Sequence, residues 1–249
     1  VIELASGVTV EARGGWELPW GPRLGLRDRT LMVGPYGSPM VYEDHVAGTV
    51  GSGRECCPDG DELRFERGGG DLVSVCLRMP ETTTERDCSG WLAAPARSAR
   101  LRLPGPCRFV LERTDQRWMS GDGDVLLCLR SAEPLGSRGE RIRIAQHVDL
   151  LAADDRFAGW AVEHPERFLV SDWEHPSAEP PDRDLAVLLR EYVQIMTAGN
   201  VELLRDGDPG VRRLFEDLKS KVDDAAGATA RRKVLRDSID NVLGAFSGT

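Results

Sequence analysis

Lysine is almost missing from this sequence. Of its 32 basic residues only Lys219, Lys221 and Lys233 are lysines. Arginine codons are mostly GC-rich, so the bias points to a high-GC bacterium as the source. Positive charge is also the minority: 41 acidic residues set the formal net charge at −9. Residues 182–249 hold 11 basic and 12 acidic side chains, so almost all of the excess lies before position 182. Such a surface repels phosphate backbones, and no nucleic-acid partner is expected. Long hydrophobic runs are missing as well. None approaches the ~18 apolar residues of a membrane helix, so no membrane partner is expected. The opening "VIELASGVTV" has neither a basic start nor a long apolar stretch, so no signal peptide is read.

Motifs that force chemistry are missing too. Six cysteines stand at 56, 57, 76, 88, 107 and 128. None forms C-x-x-C, and the adjacent Cys56-Cys57 pair alone cannot complete a zinc site. The cysteines read as reduced thiols of a cytoplasmic chain. No G-x-S-x-G supplies a nucleophile elbow. The glycine runs "GTVGSG" and "RGGGD" lack the Lys-Ser/Thr pair of a phosphate loop. No cofactor, nucleotide or metal is expected.

What is present has two rhythms. Up to about residue 170, short β-rich runs alternate with Gly, Pro and Asp: "GVTVEAR", "TLMVG", "MVYEDHVAGTV", "ELRFER", "LVSVCLRM", "ARLRLP", "CRFVLER", "VLLCLRS" and "RIRIAQHVDL". Alternation in Leu63-x-Phe65 and Ile142-x-Ile144 fits strands with one wet face. "RFERGGGDLVSVCLR" and "RWMSGDGDVLLCLRS" read as hairpins, because glycine supplies the positive φ of a tight reversal. Many short strands without intervening helices predict an antiparallel β-sandwich or barrel-like domain over 1–170.

Residues 171–181 read as a proline-rich linker. Beyond them the period becomes helical, and residues 182–249 predict a three-helix tail packed on or beside the β domain. Asp182 or Asp184 caps the first helix, Asp208-Pro209 starts the second, and Thr229 opens the third. The predicted class is α+β.

Candidate site residues are few. In "MVYEDHVAG" strand alternation places Glu43 and His45 on one face, as a carboxylate steering an imidazole base requires. His147 and Asp149 repeat that spacing in "AQHVDL". His164 and His175, each in a Glu-His-Pro triplet, are eleven positions apart. A strand between them separates them by as much as ~35 Å, too far for one metal ion. Trp16 and Trp20, in the Gly/Pro-rich "GGWELPWGPRLG", and Tyr42 are candidate ligand-binding residues.

Two functions follow as expectations. The first is a cytoplasmic recognition protein that binds a peptide, another protein or a small apolar ligand through the β domain and helical tail. The second is a tailoring enzyme of specialised metabolism: a cyclase, isomerase or hydrolase without metal or nucleotide. It would use His45 with Glu43, or His147 with Asp149, in a cleft roofed by Trp16 and Trp20.

Overall fold

A computed structural model describes residues 1–53, 60–131, 138–225 and 229–246; Cys56 and Cys57 lie outside them. The chain opens with strands β1 (Ile2–Ala5), β2 (Val8–Gly14), β3 (Arg23–Gly25) and β4 (Thr30–Val33), then helix α1 (Pro39–Gly48). Next come β5 (Thr49–Gly51), β6 (Glu62–Glu66), β7 (Leu72–Arg78), the short α2 (Gly90–Ala93) and β8 (Ala96–Arg102). β9 (Gln116–Met119), β10 (Val125–Leu129), β11 (Gly139–Ala145), β12 (Val148–Ala153) and β13 (Arg156–Glu163) follow. A 3₁₀ turn over Pro165–Phe168 leads into β14 (Leu169–Val170). Four helices end the chain: α3 (Arg183–Ile195), α4 (Ala198–Arg205), α5 (Pro209–Asp224) and α6 (Ala230–Ala245).

Six strands close a barrel in the order β1-β2-β8-β11-β12-β13, with β13 pairing back to β1 through Glu3 and Arg156. Closure gives both end strands of that ring a neighbour. β10 and β9 extend the sheet from the other end of β13. A second, six-stranded sheet runs β14-β3-β4-β7-β6-β5. Both hairpins expected from glycine turns form, as β6–β7 and β9–β10.

Pleat alternation builds the core. Val10, Leu101, Ile142, Ile144, Val148, Leu150, Phe157, Trp160 and Val162 from the barrel join Leu24, Leu31, Leu63, Phe65, Val75 and Leu77 of the second sheet in one cluster. Leu185, Leu189, Phe215, Leu235 and Ile239 extend it into the helices. At ~25 cal/mol per Å² of apolar surface buried, a shared core of this extent is the main force holding the layers together.

Several sequence expectations need correction. Of residues 40–50, read as a strand, 40–48 lie in α1 instead, and only Thr49 and Val50 are extended, in β5. Ser38 accepts a hydrogen bond from the Val41 N–H, and Pro39 opens the helix with no N–H to leave unpaired. "RIRIAQHVDL" is a hairpin rather than one strand, since Ala145 pairs with Val148 around Gln146 and His147. "CRFVLER" joins no strand ladder, apart from an isolated bridge at Arg108. The sheets are not purely antiparallel: β1–β13, β8–β11 and β3–β14 are parallel pairs. The C-terminal segment has four helices, not three. The extra one, α4, is short; Gly199 and Asn200 in its first turn are weak helix formers, and Thr197 caps it through the Asn200 N–H at 3.2 Å.

The other caps fall where the sequence puts them. Asp182, Asp208 and Thr229 accept from Leu185, Val211 and Arg232 N–H at 3.0, 2.8 and 3.2 Å. The proline-rich segment before α3 is pinned by arginines of α6. Arg231 bonds Glu179 at 3.1 Å and the Pro180 carbonyl, and Arg232 grips Asp182 with two bonds of 2.7 and 2.9 Å. Arg117 of β9 donates to the carbonyls of Val193 and Met196, which end α3, and to Pro80. Among the described residues no helix is long and apolar enough to cross a membrane.

Candidate ligand-binding site

The second sheet has a polar outer face. Alternation that sends Leu31, Leu63, Val75 and Leu77 inward sends Arg23, Met32, Glu62, Arg64, Ser74 and Cys76 outward. A sheet face with that composition is ordinarily wet. Here α1 and the loop at Trp173 cover it. Met32, Tyr36, Tyr42 and Cys76 form a separate buried cluster, with Trp173 packed against it.

Hydrogen bonds fix the cover. The Tyr42 hydroxyl donates to Glu62 at 2.6 Å. His45 Nε2 shares a 2.8 Å bond with Ser74 Oγ. Arg64 donates to the Val46 and Thr49 carbonyls at 2.7 and 3.2 Å, satisfying groups that the end of α1 leaves open. Arg23 lies over the Tyr36 ring, 5.3 Å from its centroid, and bonds the backbone carbonyls of Tyr36 and Trp173. Trp173 meets Tyr42 at 5.6 Å and Tyr36 at 6.0 Å between ring centroids.

Beside this wall opens a cavity of about 390 Å³, bounded by Tyr42, Trp173, Met32, Arg27 and Arg78. A second cavity of about 410 Å³ shares Asp28, Arg29 and Arg78 with it and continues to Arg113 and Asp115. The two adjoin at these shared residues and are treated as one cleft, with the aromatic wall in the first cavity and mostly polar residues in the second. Arg29 is paired with Glu81. Arg27, Arg78 and Arg113 form no ion pair among the described residues. Bonded to two residues that line this cleft is Asp61, 1% exposed, accepting from the Arg78 N–H at 2.6 Å and the Thr114 N–H at 3.4 Å. Burial pushes its carboxyl up to about 7, despite those two bonds.

The residues singled out from sequence scatter. Tyr42 and His45 reach this site, but from a helix. Two-residue spacing on a helix points Glu43 away from His45, and Glu43 is exposed. The same-face pairing of Glu43 with His45 therefore does not form. Burial, then Arg64, lowers the His45 pKa. Its partner Ser74 is 0% exposed and cannot meet a substrate as placed.

His147 and Asp149 separate too. Asp149, 0% exposed, accepts from Arg141 and Arg143 on the neighbouring strand β11. His147 instead lies 3.7 Å from Glu163, with the His164 ring 5.9 Å away. Burial, then Arg167, lowers its pKa. His164 and His175 form no joint metal site, and no group of three or more His, Cys, Asp or Glu suited to a metal occurs among the described residues. Trp16 and Trp20 border a different, small pocket of about 170 Å³ with Leu72 and Leu101. Trp16 is 75% exposed, whereas Trp20 packs on the core.

Sequence reasoning missed Trp173, Arg23, Arg78 and Asp61. Trp173 stood in plain view between two prolines, in a stretch that reads as punctuation. Nothing local marks Asp61, whose position depends on segments 17 and 53 residues away. Comparison with family models, with curated proteins and with solved structures finds no match to this chain.

Proposed function

We propose that this chain is a recognition protein whose cleft takes a small ligand with a flat apolar body and an anionic group. The reading rests on one observation: the Tyr42–Trp173 wall stands beside Arg27 and Arg78, whose guanidinium groups form no ion pair among the described residues. Aromatic faces take a planar apolar group, and guanidinium forks take a carboxylate or phosphate through paired hydrogen bonds. A cleft with an apolar wall and a few placed polar groups is the usual form of a small-molecule site.

A second reading, a metal- and nucleotide-independent enzyme, draws support from Asp61 rather than from the histidine pairs. A carboxyl near 7 suits general acid–base work. It is buried, however, and lines neither cavity.

The test is a thermal-shift survey of aryl-alkyl carboxylates, such as phenylacetate and indole-3-acetate, with their primary amides as controls. The carboxylates are expected to raise the melting temperature more than the amides. Arg78→Gln is expected to erase that preference, and Trp173→Ala to weaken both classes. Equal shifts for acids and amides in the wild type would contradict the anionic half of the proposal. Hits indifferent to Trp173→Ala would contradict its aromatic half.

A further inference from the structure

The outer edge of β13 is shared. Its C-terminal part, Gly159–Glu163, pairs with β10, whereas Arg156 pairs with β1. β1 and β10 therefore leave the same edge in different directions and make a fork. In the fork lies a cavity of about 670 Å³. One wall is β1 and its turn, from Glu3 to Val8; the facing wall is the segment from Arg108 to Glu112. Arg130 and Arg156 stand at the crotch.

That facing segment has the side-chain pattern of a strand without its ladder. Phe109 and Leu111 are buried, while Arg108, Val110 and Glu112 are exposed. From Val110 to Arg113 no backbone group bonds to another backbone group among the described residues. Extended backbone with unmatched N–H and C=O groups is a template for another strand.

We infer that the fork is a β-augmentation site for an extended, acidic–apolar peptide of a partner protein. Volume sets its length. A strand occupies about 160 Å³ per residue, from ~3.3 Å rise, ~4.8 Å strand spacing and ~10 Å sheet spacing; the cavity thus holds roughly four residues. Charge sets its chemistry. Arg130 is engaged by Glu112, and Arg156 by Glu3 at 3.4 Å. Arg108 has no carboxylate partner among the described residues, so it is the guanidinium left for an acidic side chain. Val110, an aliphatic side chain 46% exposed at this rim, meets the apolar residue next in register. Backbone bonds supply affinity and the alternating side chains specificity. The fork shares no lining residue with the Tyr42–Trp173 cleft.

The experiment uses the full chain and a fluorescein-labelled hexapeptide alternating valine and aspartate, read by fluorescence anisotropy. Binding is expected. It should be lost when alternate amides of the peptide are N-methylated, because side chains survive that change and strand donors do not. Arg108→Gln is expected to weaken it about two- to fivefold, as an exposed ion pair does, and Trp173→Ala should leave it unchanged. In hydrogen exchange, the amides of Val110–Arg113 should slow on binding. No binding at millimolar peptide, equal binding of the N-methylated peptide, or unchanged exchange over 110–113 would each overturn the inference. Loss of binding in Trp173→Ala would place the peptide in the other cleft and overturn it as well.

Discussion

At the scale of single residues, the backbone is most constrained at turns. Asp154 and Asp155 join β12 to β13 with φ of 49° and 63°. A two-residue hairpin with both φ positive favours glycine at its second position. Asp155→Gly is therefore expected to raise stability by about 0.5–1 kcal/mol, measured as the urea midpoint. Gly159 is the opposite case. At φ 151° in β13, a Cβ there would lie 2.1 Å from the Cys128 carbonyl oxygen. The sequence marks neither position as special, because both depend on which strand lies alongside. Asp61 makes a pH prediction. Its carboxyl is raised from 3.8 to about 7 on folding. A raised acid binds its proton more tightly folded than unfolded, so its contribution to stability is complete below pH ~4. That contribution falls as pH rises to about 7 and is level above. Asp61→Asn should remove this fall. The stability of the variant relative to wild type should climb by up to about 4 kcal/mol between pH 4 and 7. A pH-independent difference would show that the carboxyl titrates normally.

At the scale of elements, what the sequence carries locally is legible. Caps and amphipathic stripes mark α3, α5 and α6, and glycine turns mark the β6–β7 and β9–β10 hairpins. What tertiary contacts decide is not. The alternating "MVYEDHVAG" becomes a helix because Ser38-Pro39 caps it and Arg64 closes its far end. "CRFVLER" keeps strand-like burial, yet lacks a neighbour to pair with. The helix at 39–48 is why the Glu43–His45 dyad fails, and of the candidates only Tyr42 lines the cleft. Arginine's role between elements was equally hidden. Arg117 is buried, its pKa lowered to about 10 by desolvation, and its donors meet carbonyls at the end of α3 and at Pro80. Arg117→Met leaves those carbonyls without donors and is expected to cost about 3 kcal/mol. Arg117→Lys should recover only part of it, because an ammonium lacks the planar fork that reaches several acceptors at once. Full rescue by lysine in chemical denaturation would show that charge, not geometry, joins these elements.

At the scale of the whole molecule, a closed barrel, a second sheet and four C-terminal helices share one core, and buried arginines tie their loops together. The switch from strand to helix period near residue 182 was readable from side-chain spacing. That one ring of strands closes on itself was not, because closure rests on a single pairing between residues 153 positions apart. The rigid frame leaves function to the surfaces between layers, and the cleft beside α1 is where aromatic wall and arginines meet. A crystal structure of the chain soaked with indole-3-acetate tests that claim most directly. The indole is expected against Tyr42 and Trp173 with its carboxylate on Arg78 or Arg27. A cleft left empty at saturating ligand, or the acid bound with its ring away from Trp173, would contradict it.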